Sequence, residues 1–322
     1  MPKNKRQQLE QWTTVVADTG DLTAIKALKP EDTTTNPSLL LAVANNENGR
    51  ELLTRALQLA GAYQPENVDA NILCDAFTAI VGTELLQLVP GLVSTEVDAR
   101  ESFDTRATIE RARNLINIYR FFGADTSRVL IKIAATWEGI QAAKVLEAEG
   151  IRCNLTLIFH PLQAVAAAQA QAFLISPFVG RIFDWYQKRD QALTSDPGVE
   201  AVTHIYQRLK GMGSNTVIMG ASFRTVEQIE ALAGCDRLTI SPALLEELAA
   251  QNTPLERQLQ PNNIEASTEE IVDEITFRYE LNQCPMSSDL LADGIRRFVV
   301  DQQKLAALLE QHRCDALQDA EF

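Results

Sequence analysis

Short runs of β-branched and apolar residues alternate along the chain with longer segments whose apolar residues recur at helical spacing. The short runs predict strands at Thr13–Gly20, Asp32–Ser38, Gly91–Asp98, Arg128–Thr136, Ile151–Phe159, Ala172–Gly180, Asn215–Ser222 and Arg237–Leu244. Amphipathic helices are predicted between them. Two of the clearest, Arg100–Gly123 and Thr136–Gly150, each end at a glycine, which readily caps a helix C-terminus.

About eight strand-then-helix units in series predict an α/β fold, a TIM-type (β/α)8 barrel. The competing fold is an open doubly wound sheet, which usually carries a GxGxxG turn after its first strand; the sequence has none. We predict that residues 1–322 form a single α/β barrel domain with extra C-terminal helices.

The chain is predicted to turn helical after Leu244 and to remain so. The clearest helical segments there are Ser267–Asn282 and Ser287–Leu317. No linker rich in proline, glycine and serine precedes them. We therefore expect residues 245–322 to form a helical extension packed on the outside of the barrel or over its mouth.

Lys132 stands in the middle of an apolar predicted strand, an unusual position for a strongly hydrated ammonium group. Side chains alternate across a strand, so residues two apart share a face. One face carries Leu130, Lys132 and Ala134, and the other carries Val129, Ile131 and Ile133. The uniformly bulky face suits packing against outer helices, so Lys132 is predicted to point into the barrel.

Most of the other predicted strands also place a polar residue on one face, mostly late in the strand. In the fifth strand, Cys153, Leu155 and Leu157 are predicted to face outward. The polar residues predicted to face inward with Lys132 are Asp18, Thr34, Asn36, Ser94, Glu96, Asn154, Thr156 and Ser176. Singly, each has a plainer explanation as a solvated side chain, a helix cap or an interior hydrogen-bonding group. Together they predict a site at the C-terminal mouth.

The predicted cluster suits carbonyl chemistry. Partial desolvation favours the neutral amine of a lysine, which can attack a ketone and form a Schiff base. The carboxylates of Asp18 and Glu96 can divide the proton transfers. Arg181 follows the sixth strand, and Ser222 and Arg224 follow the seventh, where the chain enters helices; this placement suits a phosphate group. No cofactor is predicted.

Charge and composition argue against several classes of binding partner and of cofactor. The formal net charge of -14 argues against binding nucleic acid or an anionic membrane through bulk charge. No apolar run reaches the ~20 residues of a membrane helix, and the N-terminus lacks the apolar core of a secretory signal. Five scattered cysteines without a CxxC pair predict reduced thiols in a cytoplasmic protein, and three unclustered histidines predict no metal site.

Several sequence motifs contain these residues, and through them the chain resembles a transaldolase of the full-length bacterial type, one of the Schiff-base aldolases. The resemblance runs from about Lys5 to Leu317. It is carried by the motifs TTTNPSLLL (Thr33–Leu41), STEVDAR (Ser94–Arg100), IKIAATWEGIQAA (Ile131–Ala143), CNLTLIF (Cys153–Phe159), SPFVGRIFDW (Ser176–Trp185) and GASFR (Gly220–Arg224).

The resemblance implies a role for each predicted site residue. Lys132 forms the Schiff base, Asp18 handles the proton of the substrate hydroxyl, and Glu96 works with Thr156 through a water. The groups that bind the dihydroxyacetone hydroxyls are Asn36, Asn154 and Ser176. Those that bind the sugar phosphate are Arg181, Ser222 and Arg224. Phe178 is either an apolar wall of the site or plain core. A homodimer is implied by the resemblance alone.

The implied reaction moves dihydroxyacetone from sedoheptulose 7-phosphate to glyceraldehyde 3-phosphate in the non-oxidative pentose phosphate pathway. Two alternatives stay open. An aldolase would use the same lysine but release dihydroxyacetone. A non-catalytic sugar-phosphate binder would need neither carboxylate beside the lysine, which argues against that alternative.

Overall fold

The structure, a computed structural model, describes residues 3–66, 68–189, 193–261, 264, 266 and 271–320. Within these residues, eight parallel strands close into a barrel in the order of the sequence. The strands are β1 (Thr14–Asp18), β2 (Asp32–Thr34), β3 (Val93–Glu96), β4 (Val129–Ala134), β5 (Cys153–Ile158), β6 (Leu174–Pro177), β7 (Val217–Gly220) and β8 (Arg237–Ile240). The predicted (β/α)8 fold is confirmed.

Helices surround this barrel and follow nearly every strand. They are α1 (Lys5–Leu9), α2 (Leu22–Leu28), α3 (Pro37–Ala44), α4 (Gly49–Tyr63), α5 (Ala70–Leu88), α6 (Thr105–Phe121), α7 (Trp137–Ala148), α8 (Pro161–Gln169), α9 (Gly180–Gln187), α10 (Pro197–Gly211), α11 (Val226–Glu230), α12 (Pro242–Ala250), α13 (Glu274–Gln283) and α14 (Pro285–Ala320). In the described part of the chain, no helix is long and apolar enough to cross a membrane.

The two faces of the strands pack in different surroundings, as alternation requires. Outward residues such as Ile131 and Ile133 are buried in the main core between sheet and helices. The barrel interior holds a small separate cluster that consists of Val16, Leu130, Leu174 and Met219. In β1, β4 and β6, a residue of this cluster precedes a polar residue by two positions, so an apolar floor lies below the polar mouth.

Several predicted strands are too long because a helix begins where the strand was expected to continue. Asn36, predicted within the second strand, is the N-cap of α3, and its side chain accepts a hydrogen bond from the Leu39 amide. Proline follows it at the first helical position, where the missing N–H costs nothing. Pro242 begins α12 in the same way, after the N-cap Ser241.

The predicted outward position of Leu157 is wrong. The pairing of β5 is irregular here, and Leu157 has a positive φ of 57°. The fully buried amide of Gln163 holds this turn, since it donates to the carbonyls of Ala135 and Leu157 and accepts from the Phe159 amide. Leu157 consequently packs at the barrel mouth with Phe159 and Phe178.

The prediction that the chain stays helical after Leu244 is wrong for residues 251–260, which form no helix. Prolines at 254 and 261 disfavour one, and the segment bonds elsewhere: the amides of Gln258 and Leu259 both donate to the Ala233 carbonyl. Helix α13 begins at Glu274, later than the predicted Ser267, and residues 267–270 lie outside the described residues.

Helix α14 contacts α3, α5, α9 and β5, so the C-terminal segment packs both beside the barrel and over its mouth. That residues 1–322 are one domain remains a prediction.

Two helical glycines provide a matched test of packing around the barrel. A methyl group added to Gly82 of α5 would overlap the hydroxyl of buried Tyr119, which hydrogen-bonds Thr95 of β3. We expect Gly82→Ala to lower the free energy of unfolding by about 1–3 kcal/mol, because the core must shift to admit the methyl group.

The control is Gly61→Ala in α4, where a methyl group meets nothing within 4 Å. Its expected effect is a gain of up to about 1 kcal/mol from helix propensity. Urea unfolding of both variants measures the difference, and equal effects would contradict the packing that we describe.

Candidate active site

The strand register brings three of the predicted site residues side by side in the barrel interior. Lys132 of β4 pairs with Glu96 of β3 on one side and with Asn154 of β5 on the other. The amine of Lys132 lies 3.1 Å from the Glu96 carboxylate and donates a 3.1 Å hydrogen bond to the Thr35 carbonyl. The side chains of Lys132 and Glu96 are only 7% and 3% exposed. The amine is thus held inside the barrel, as the alternation pattern predicts.

Asp18 enters the interior from the end of β1. Its carboxylate accepts a 3.0 Å hydrogen bond from the Thr34 hydroxyl, and Thr34 is in turn 2.7 Å from the hydroxyl of Thr239 on β8. Asp18 and Thr34 are register partners, so the pairing of β1 with β2 fixes this contact.

A chain of hydrogen bonds crosses three strands beside the amine. The Asn154 amide donates to the Ser94 hydroxyl at 3.1 Å, and the Ser176 hydroxyl donates to the Asn154 carbonyl oxygen at 2.7 Å. Thr156 lies two residues beyond Asn154, so it shares the inward face. Among the described residues its buried hydroxyl has no hydrogen-bond partner, which leaves that hydroxyl free for a substrate group or a water.

The predicted phosphate-binding residues meet where two strand-to-helix loops touch. Ser222 has a positive φ of 65°, and its carbonyl accepts from the Gly180 amide at 2.8 Å. A side chain at Gly180 would overlap that carbonyl, so glycine permits the close approach. Arg224 donates to the Ser222 hydroxyl at 3.2 Å and forms an ion pair with Asp184 at 2.7 Å.

Arg181 differs from Arg224 because it lies deeper. Its guanidinium carbon is 4.9 Å from the Phe178 ring centroid, and its buried Nη1 has no hydrogen-bond partner among the described residues. Burial, together with the positive charges of Arg297 and Arg224, lowers the pKa of Arg181. An anion at this position would gain an unshared donor.

A cavity of about 80 Å³ joins these groups. Most of the predicted site residues line it, among them Asp18, Asn36, Lys132, Thr156, Ser176, Phe178, Arg181 and Ser222. Glu96 and Asn154 contact the lining residues Lys132 and Ser176, and Arg224 contacts the lining residue Ser222 while it is paired with Asp184.

Phe298 of α14, which was not among the predicted site residues, also lines this cavity. The strand pattern that located the other residues says nothing about a helical residue almost 60 positions beyond the last strand. The available signal was the apolar spacing of Leu291, Ile295 and Phe298, which predicts a buried helix face but not what that face covers.

Comparison with known proteins matches this barrel to a family. A family model described as Transaldolase/Fructose-6-phosphate aldolase matches residues 15–309. The chain belongs to the transaldolase/fructose-6-phosphate aldolase family.

Curated relatives in the family match along nearly their whole length. A protein named Transaldolase from Stutzerimonas stutzeri is 54% identical over 312 residues, which cover 96% of this chain and 99% of that protein. A Transaldolase from Shewanella amazonensis is 52% identical over 95% of this chain and 98% of its own length. A Transaldolase from Pseudoalteromonas atlantica is 51% identical over 96% of this chain and 99% of its own length.

The electrostatics of this family member's site favour proton transfer. Burial raises the pKa of both Asp18 and Glu96, and the positive charge of Lys132 offsets part of each increase. A carboxylate with a raised pKa is a stronger base than usual, so both groups are suited to accept and return protons during carbonyl chemistry.

The raised pKa of Asp18 predicts a cost to stability. The folded state binds the Asp18 proton more tightly than the unfolded state, so the ionised carboxylate destabilises the fold above its folded pKa. This effect decreases as the pH falls below the folded pKa and is lost near the unfolded value of 3.8. We expect Asp18→Asn to be more stable than the unaltered protein at pH 7.5, with a difference that shrinks toward pH 4.

Thermal unfolding across this pH range measures the difference. As a control, Asp21→Asn changes the N-cap residue of α2 to one that caps a helix about equally well, so it should show no such gain. If the stability difference between Asp18→Asn and the unaltered protein grew toward low pH, the pKa of Asp18 would not be raised in the folded state.

Proposed function

We propose that this chain is a transaldolase, which transfers a dihydroxyacetone unit from sedoheptulose 7-phosphate to glyceraldehyde 3-phosphate. The products are erythrose 4-phosphate and fructose 6-phosphate. The observation that carries the proposal is the buried Lys132 amine, 3.1 Å from Glu96, beside a cavity that also holds Asp18 and Arg181. The relatives named Transaldolase support transfer as the reaction.

In the first step, the Lys132 amine attacks the C2 carbonyl of the donor ketose. Glu96 accepts the ammonium proton that must leave before attack, and returns a proton to the carbinolamine oxygen so that water departs and the iminium forms. The Thr156 hydroxyl, which has no hydrogen-bond partner in the described part of the chain, supports a water-mediated route between Glu96 and the reacting oxygen.

In the second step, the C3–C4 bond of the donor breaks. Asp18 takes the proton of the C4 hydroxyl, erythrose 4-phosphate leaves as the aldehyde, and the bonding electrons move into the iminium to give an enamine on Lys132. The acceptor aldehyde then adds at the same carbon, its oxygen takes the proton from Asp18, and hydrolysis of the new iminium releases fructose 6-phosphate.

Substrate recognition follows the polarity of the cavity. Asn36, Asn154 and Ser176 are proposed to bind the hydroxyl groups of the dihydroxyacetone unit. Arg181, Ser222 and Arg224 are proposed to bind the phosphate. Arg181 Nη1 supports this assignment, since no described residue accepts a hydrogen bond from it and a phosphate oxygen could do so. Phe178 contributes an apolar wall beside Arg181.

We further place this reaction in the non-oxidative pentose phosphate pathway, in the cytoplasm. All five cysteines lie in the described part of the chain and are free thiols, which supports a reducing compartment. A homodimer remains an expectation from the family resemblance.

Borohydride trapping tests the Schiff base directly. With fructose 6-phosphate present, reduction should attach a dihydroxyacetone- or hexose-derived mass to the peptide that contains Lys132, as read by peptide mass mapping. The nearly isosteric Lys132→Met should lose trapping and at least about a thousandfold in turnover, because no amine remains to form the iminium.

Lys144→Ala, an exposed lysine on α7, is the matched control and should keep both activity and labelling. Full turnover by Lys132→Met would exclude the Schiff-base mechanism.

Substitution of Arg181 tests the phosphate assignment. Arg181→Gln should raise KM for fructose 6-phosphate about 10- to 100-fold, the value of a charge-assisted bidentate contact, with a smaller change in kcat. KM for unphosphorylated fructose should change little.

The control for that experiment is Arg106→Gln, whose side chain is 88% exposed on α6. Equal losses for the phosphorylated and unphosphorylated sugars would place Arg181 outside the phosphate contact.

A further inference from the structure

One face of α14 lies over the mouth of the barrel. Its buried residues pack with Leu157, Phe159 and Phe178 at the strand ends; on the helix they are Met286, Leu291, Ile295 and Phe298. Phe298 is only 3% exposed, whereas Val300 on the opposite side of the same turn is 46% exposed. The helix therefore covers the cavity through a defined stripe.

Phe298 reaches the reacting groups. Its ring centroid is 5.8 Å from the Lys132 amine and 5.6 Å from the Arg181 guanidinium carbon. The same ring lines the cavity. Cations near an aromatic ring are attracted by its electron-rich face, and the ring at the same time displaces water from their surroundings. Phe298 is thus the apolar group that α14 adds to a largely polar site.

Contacts of α14 before and after Phe298 fix the position of this part of the helix against the barrel. One turn earlier, Gly294 allows close approach, since an added Cβ would lie 2.7 Å from Leu157 Cδ2 and 3.1 Å from Arg181 Nη1. One turn later, Asp301 accepts a hydrogen bond from Ser38 in the first turn of α3. The start of the helix is also anchored, because Ser287 donates to the Phe159 carbonyl at 3.1 Å.

We propose that Phe298 is a specificity-determining residue that keeps bulk water from the Lys132 intermediate and so favours transfer to an acceptor aldehyde over release of free dihydroxyacetone. This inference rests on the proposed function. It assigns the C-terminal helix to the active site rather than to packing alone.

The step that Phe298 suppresses is hydrolysis of the enamine. A proton from water or its relay adds to the nucleophilic carbon and gives the iminium of dihydroxyacetone. Water then adds to the C=N carbon and loses a proton, and the C–N bond breaks to release dihydroxyacetone and the free amine. In sum, one water is consumed for each dihydroxyacetone released. Access of water to the covered mouth controls both additions.

The test compares two rates for each variant: free dihydroxyacetone formed from fructose 6-phosphate without acceptor, and transfer with erythrose 4-phosphate present. For Phe298→Ala, we expect the ratio of release to transfer to rise at least about fivefold, because water enters the uncovered site. Phe298→Leu keeps an apolar side chain over the site, so its ratio of release to transfer should lie between those of the unaltered protein and Phe298→Ala. Val300→Ala, which removes apolar atoms from the exposed face of the same helix, should leave the ratio unchanged.

Gly294→Ala gives an independent second variant that keeps the phenyl side chain of Phe298. The added methyl group should displace α14, and Phe298 with it, from Leu157 and Arg181, so we expect the ratio of release to transfer to rise as well. This variant and Phe298→Leu carry the test if Phe298→Ala does not fold, as judged by circular dichroism.

Borohydride labelling of Lys132 separates the two proposals. An unchanged ratio in the folded Phe298 and Gly294 variants, with Lys132 still labelled, overturns the role of Phe298 and leaves the proposed function intact. Absence of Lys132 labelling in the unaltered protein overturns the proposed function, and this inference with it.

Discussion

The ion pair between Lys132 and Glu96, held inside a closed barrel, is the interaction on which the rest of the site depends. Burying either charge alone would be expensive, and removing one partner of a buried pair leaves the other uncompensated. The barrel lowers this cost by setting the two residues in register on adjacent strands. The Thr35 carbonyl adds a further acceptor for the amine. The Lys132 amine thus lies beside a carboxylate whose pKa is raised by burial, and both side chains are almost fully buried.

Only some of the buried polar atoms around this ion pair have hydrogen-bond partners among the described residues. Asn154 is hydrogen-bonded to both Ser94 and Ser176, whereas the Thr156 hydroxyl and Arg181 Nη1 lack partners among the described residues. Unpaired buried polar atoms cost free energy, and they persist where a ligand or a reaction needs them. Below these polar residues, Leu130 and its apolar neighbours Val16, Leu174 and Met219 form the floor of the barrel interior.

The end of β5 couples the barrel to the C-terminal helix. A leucine with positive φ is unfavourable, and Leu157 is held in that conformation by the bonds of Gln163 to two carbonyls. The consequence is a side chain that rises into the mouth and meets Gly294 of α14. The same local irregularity that ends the strand therefore builds the surface on which α14, and with it Phe298, is seated.

The sequence by itself determined the barrel and the inward direction of its polar residues, because strand alternation is local and the mouth of a parallel barrel is a general property of the fold. Only the tertiary structure decided which groups touch. The pairing of Lys132 with Glu96 depends on register between strands, the turn of Leu157 depends on a glutamine in the next helix, and Phe298 approaches the amine from more than 160 positions along the chain. No local pattern contains these distances, because each is set by how separate elements pack together.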